Sequence, residues 1–215
     1  MSQRKKIFRD RNAISPIFGT ILLVFLTFLL AGVVVGTVCS GDMFERIDRS
    51  CTKTPTSVID MERVVGGVPN DVRYNENYIR LTHRSGDPLL LDTTFIVITG
   101  QGSSYVGTFP YGSNKQGQLM VKYFDLTPSG SCPTYKSNNP IIDDNKWSTG
   151  EQLVLNGDDS INGTDASTVK VTVDGHTNTS NNYGFEAGST IHIKVFDTPT
   201  QRIIAEDTAV VQLAE

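Results

Sequence analysis

The sequence predicts an α+β protein: a long N-terminal apolar α-helix followed by an antiparallel β-sandwich or barrel-like domain. Three observations predict it. An uncharged, apolar run extends from Asn12 to Gly41. Composition then shifts toward Thr, Ser, Asn, Gly and β-branched residues. From there short apolar/polar alternations recur, separated by Gly, Asn and Asp turn signals.

Length and charge bound the rest. With 215 residues the chain can bury a core of real size. A net charge of -4 excludes a surface built to wrap nucleic acid. The mean hydropathy of -0.17 averages over unlike parts. Residues 1–13 carry Arg4, Lys5, Lys6, Arg9 and Arg11 against Asp10 alone. Of the 19 basic and 23 acidic residues, 14 and 22 lie beyond this head, so the body carries a net −8. A basic head before an apolar run holds the head on the cytoplasmic side of a membrane.

The first element is the helix. Its core, ISPIFGTILLVFLTFLLAGVVVGTV, is apolar on all faces and exceeds the roughly 20 residues that span a bilayer. Gly32 and Gly36 share a face as a weak small-xxx-small signal. The run is too long for a secretory signal, whose apolar region is roughly 7–15 residues before a small-residue cleavage site. Here the small residue, Ala13, precedes the run. A signal anchor and a prepilin both fit the length.

The segment Arg11-Asn12-Ala13-Ile14-Ser15-Pro16-Ile17-Phe18-Gly19 favours the prepilin. It resembles the N-terminus of archaeal type IV pilins: a basic leader ending in Ala or Gly, then an aliphatic residue, Ser, Pro and a following Gly. The resemblance implies a pilin-like lollipop and cleavage between Ala13 and Ile14. Ile14, Ser15, Pro16, Gly19, Gly32 and Gly36 would then lie on the polymerisation helix. Pro16 suits a first helical turn, with Ser15 as its N-cap. Bacterial type IV pilins carry glutamate at the fifth mature position, where Phe18 stands here. The chain thus divides into a leader (1–13), a transmembrane or filament-core helix (14–50) and an extracellular β-rich domain (51–215).

The β-elements follow in order. Strands are expected at Ser57–Val65, Tyr78–His83, Thr94–Thr99, Gly117–Leu126, Gln152–Leu155, Thr168–Val173, Thr190–Asp197 and Arg202–Gln212. The last two read as a hairpin around Asp197-Thr198-Pro199-Thr200-Gln201. Leu81–Leu89, Trp147–Glu151 and Phe185–Ser189 resemble strand-entering segments of the same family, with Ser85 replacing a usual glycine. The stretch from Gly100 to Lys146 carries no such landmark.

Site chemistry is sparse. His83, His176 and His192 need not converge, and His83 with Asp87 reads as a turn. Asp158-Asp159-Ser160-Ile161-Asn162-Gly163 begins like a calcium loop, but Val169 stands where the twelfth-position glutamate belongs, so it reads as a solvated loop. No metal, cofactor or catalytic residue is expected. Cys51 and Cys132 can form a disulfide; a Cys39–Cys51 bridge or three free thiols are the alternatives. Asn162-Gly163-Thr164 and Asn178-Thr179-Ser180 are N-glycosylation sequons, a modification expected of an exported glycoprotein.

The resemblance implies a structural subunit of a type IV pilus-like surface filament acting in adhesion, not an enzyme. Its precursor would sit in the membrane with its C-terminal domain outside. It would meet a prepilin peptidase, then an assembly ATPase with its membrane platform, and end as a homopolymer binding no nucleic acid. The alternatives are a monomeric, membrane-anchored extracellular binding protein and an archaellin, which usually starts differently.

Overall fold

The computed structural model describes residues 19–30, 54–69, 72–107, 110–161 and 166–214. The chain divides into two compact units, Met1–Cys51 and Thr52–Glu215.

In the first unit, helix α1 covers residues 19–30. At 1.5 Å per residue it extends about 18 Å, against roughly 30 Å of bilayer hydrocarbon. Among the described residues no helix is long and apolar enough to cross a membrane. The expected α+β class, with its long apolar helix over 14–50, is therefore corrected, and with it the transmembrane-helix, pilin-lollipop architecture. The described chain is mostly β, 50% strand and 17% helix. Apolarity alone records a preference for leaving water, not for helical hydrogen bonding. The stretch Gly32-Val33-Val34-Val35-Gly36 is strongly apolar yet made of weak helix formers; it lies outside the described residues.

The second unit contains twelve strands among its described residues. They are β1 (Ser57–Gly66), β2 (Tyr78–Gly86), β3 (Leu89–Leu90), β4 (Thr94–Val106), β5 (Ser113–Tyr123), β6 (Lys146–Trp147), β7 (Gln152–Asn156), β8 (Val169–Val173), β9 (Gly184–Phe185), β10 (Thr190–Asp197), β11 (Arg202–Val210) and β12 (Gln212–Leu213). One sheet runs β12-β1-β2-β7. The other runs β11-β10-β4-β5-β8, with β9 on β4, and β3 pairs β6. A short helix, α2 (Pro133–Asn138), lies between β5 and β6.

Period-2 alternation builds the core. Val169, Val171 and Val173 on β8 and Ile191, Ile193 and Val195 on β10 point inward. They meet Ile79 and Leu81 of β2 and Leu153 and Leu155 of β7 in one apolar cluster. Each such side chain contributes roughly 1.5–3 kcal/mol on burial.

The expected hairpin forms: β10 pairs antiparallel with β11, and Asp197 Oδ2 accepts from the Thr200 amide (3.0 Å) and hydroxyl (2.6 Å) in its loop. Strand β4 runs on from Thr99 to Val106, through Gly100 and Gly102. Gly102 is there for proximity and not for a turn, since a Cβ would strike the Gly184 carbonyl of β9. Strand β11 stops at Val210, and the chain then changes sheets, so that β12 pairs parallel with β1.

Side chains cap single backbone positions along the sheet edges. On β7, the fully buried Asn139 accepts from the Val154 amide (2.6 Å) and donates to the Val154 carbonyl (2.8 Å). On β8, Val171 donates to Asn181 Oδ1 (3.2 Å) and accepts from the Thr179 hydroxyl (2.8 Å). Between β1 and β11, Asp207 Oδ2 accepts from the Met61 amide at 2.8 Å.

Candidate functional site

Helix α1 is apolar all round, with Thr20 and Thr27 its polar side chains. The Thr27 hydroxyl turns inward to the Val24 carbonyl (2.7 Å), which removes a polar group from the helix surface. Its large apolar side chains are between 51% (Val24) and 73% (Phe28) exposed. Among the described residues nothing lies within 4 Å of the Cβ position of Gly19, so that point would let another backbone come close. An apolar surface of this extent in water calls for a covering, by lipid or by other helices.

Most residues assigned to processing and assembly lie outside the described residues: Ala13, Ile14, Ser15, Pro16, Gly32 and Gly36. So do Cys39, Cys51 and Asn162. Cys132 is a free thiol, 2.8 Å from the Thr134 hydroxyl. Asn178 is exposed, and its carbonyl accepts from Gly107 beyond the end of β4.

The histidines stay apart. His83 is fully buried; its Nε2 lies 3.1 Å from the Asp87 backbone carbonyl, and its ring meets Trp147 edge-on at 6.0 Å. The Asp87 carboxylate instead accepts from the Thr56 amide at 3.1 Å, fixing the start of β1. His176 contacts Lys115, and His192 lines an open groove on the β10–β11 pair with Lys194 and Glu206. Among the described residues no three His, Cys, Asp or Glu side chains gather as a metal would require.

The structure does build a polar centre that sequence reasoning missed. Asp159 is 1% exposed. Its Oδ2 accepts from the Asn156 amide (2.6 Å) and the Tyr123 hydroxyl (3.0 Å). Tyr123 in turn lies 2.9 Å from the Tyr183 hydroxyl and 3.1 Å from the Asn156 carbonyl. Tyr135, on α2, bonds the Leu126 carbonyl at 2.9 Å. Asp159 Oδ1 is buried without a hydrogen-bond partner.

Burial dominates the titration here. It raises Asp159 to about 7, partly offset by the Asn156 amide and the Tyr123 hydroxyl. Burial also lifts Tyr123, Tyr135 and Tyr183 well above the ordinary phenol value, with the Asp159 charge adding to it. The Asp158-Asp159 pair was visible in the sequence but read as solvated. Nothing in the spacing of Tyr123, Tyr135 and Tyr183 announces that they converge on it.

No family model matches the sequence, and no curated protein matches it. The family resemblance therefore rests on the residues around Ala13 and on the strand-entering segments.

Proposed function

We propose that the protein is a structural, non-catalytic subunit of a type IV pilus-like surface filament. The reading rests chiefly on one observation: α1 presents large apolar side chains on every face, without a polar stripe to turn toward water. Helices of that kind are covered by lipid or by other helices, and in this reading copies of the same helix take over from lipid. The Ala13-Ile14-Ser15-Pro16 sequence supports it as a processing site ahead of the apolar segment. In this reading a prepilin peptidase removes residues 1–13, and an ATPase with its membrane platform moves the apolar segment from lipid into the filament. The β-unit faces the outside, where it acts in adhesion.

The test is the mature N-terminus. The full chain is produced in cells with an archaeal prepilin peptidase, and its N-terminus is read by mass spectrometry alongside electron microscopy of the cell surface. A start at Ile14 and filaments containing the chain are expected. An intact Met1, or cleavage beyond the apolar run, overturns the reading and leaves the anchored binding protein.

A further inference from the structure

The unused chemistry of the molecule is the buried carboxyl of Asp159. Its two oxygens are treated unequally. Oδ2 has two donors, while Oδ1 has none. An ionised carboxylate spreads its charge over both oxygens, so half the charge would sit on a buried atom with no donor among the described residues. A neutral carboxyl leaves only a plain carbonyl oxygen there, which costs far less.

The proton count of the cluster agrees. Tyr123 has one proton and two acceptors in reach, Asp159 Oδ2 and the Asn156 carbonyl. With Asp159 protonated on Oδ2, that proton goes to the Tyr123 oxygen. Tyr123 then donates to Asn156, and Tyr183 donates to the second lone pair of Tyr123. Every hydroxyl proton then has an acceptor, and the group left without a donor is the neutral carbonyl oxygen Oδ1. With Asp159 ionised, Tyr123 must donate to Oδ2, and Asn156 loses its hydroxyl donor.

The groups facing the carboxyl are Tyr123 from β5, Tyr135 from α2, Tyr183 ahead of β9 and Asp158 beside it. Asp125 acts on Tyr135 from the end of β5. All are neutral or acidic, so none offsets a negative charge. The Asp159 backbone also holds its surroundings: its carbonyl accepts from the Cys132 amide (2.8 Å), and Ser160 bridges to Ser131.

We propose that Asp159 is a proton-held latch, which in its neutral form fastens the turn after β7 (residues 157–160) to β5 and to the start of α2, and which loosens when it ionises. The domain is thereby most stable in mildly acidic surroundings. The sign follows from linkage. The folded carboxyl holds its proton more tightly than an unfolded one, whose ordinary value is 3.8. The stabilisation is complete below that value, declines as pH rises, and is gone above about 7.

The experiment is thermal unfolding of the full chain in non-ionic detergent between pH 4 and 8.5, for the natural sequence, Asp159→Asn and Tyr123→Phe. For the natural sequence Tm falls by roughly 5–10 °C from pH 5 to pH 8. In Asp159→Asn most of that slope disappears. Tyr123→Phe keeps a slope but starts from a lower Tm. A flat natural profile, or an unchanged slope in Asp159→Asn, overturns the proposal. Carbon-13 NMR of aspartate carboxyls in the natural chain decides independently, should the variants fail to fold. One carboxyl titrating with a midpoint near 7 supports the latch, and all midpoints below 5 overturn it.

Discussion

Replacing Asn139 by alanine would leave the amide and carbonyl of Val154 without the partners they now share with one side chain. The Tyr135 carbonyl would lose a third bond, at 2.9 Å. Stranded buried polar groups cost about 1–3 kcal/mol each. Asn139→Ala is expected to lower stability by about 3 kcal/mol, read as a shift in the urea midpoint at unchanged slope. Asn77 works similarly, accepting from the amides of Gly67 (3.0 Å) and Phe185 (3.1 Å) and so tying the end of β1 to β9. Such residues are illegible in a sequence. Asn139 precedes a proline and follows another asparagine, which spells a turn. That its amide mimics a strand backbone depends on where β7 arrives, fifteen positions later. Asp159 was misread for the same reason: a carboxylate in a polar loop is usually wet, and only tertiary packing dries it.

At the scale of elements, the strands were largely legible because burial on one face imposes period 2. The β10 sequence Thr190–Asp197 matches its expected bounds, and β1, β2, β7 and β8 differ by a few residues at their ends. The two-residue strands β3, β6 and β9 are too short to show a period. The far half of β4 hid behind glycines that serve close approach. Edge protection can be tested at this scale. Thr179→Val combined with Asn181→Ala removes both side-chain partners of Val171 and bares the β8 backbone. The double variant is expected to lose about 2–3 kcal/mol. At a concentration at which the natural chain stays monodisperse in detergent, light scattering should show association of the variant. A variant that stays monodisperse and equally stable would mean β8 needs no cover.

For the whole molecule, the unpredicted feature is that first and last strands meet. Val65 aligns with Gln212 and Gly66 with Leu213, beside the buried Val211. Parallel pairing between chain ends leaves no local sequence mark, since its partners lie some 150 positions apart. Deleting residues 211–215 is expected to prevent the unit from reaching a protease-resistant state, whereas Asp207→Ala, which frees the buried-side Met61 amide and the exposed Thr208 amide, costs about 1–2 kcal/mol. Limited proteolysis and circular dichroism separate the two outcomes. Of the helix expected over 14–50, the described residues show 19–30, and hydropathy, which sums over residues, is indifferent to the backbone they adopt. The seam between the ends has a mechanical side as well. Tension arriving at Thr54 runs along β1, which is gripped by β2 on one flank and by Asp207 and β12 on the other. A pull along that strand loads its bonds in shear, so the strand that leads into the unit is held against extension on both flanks.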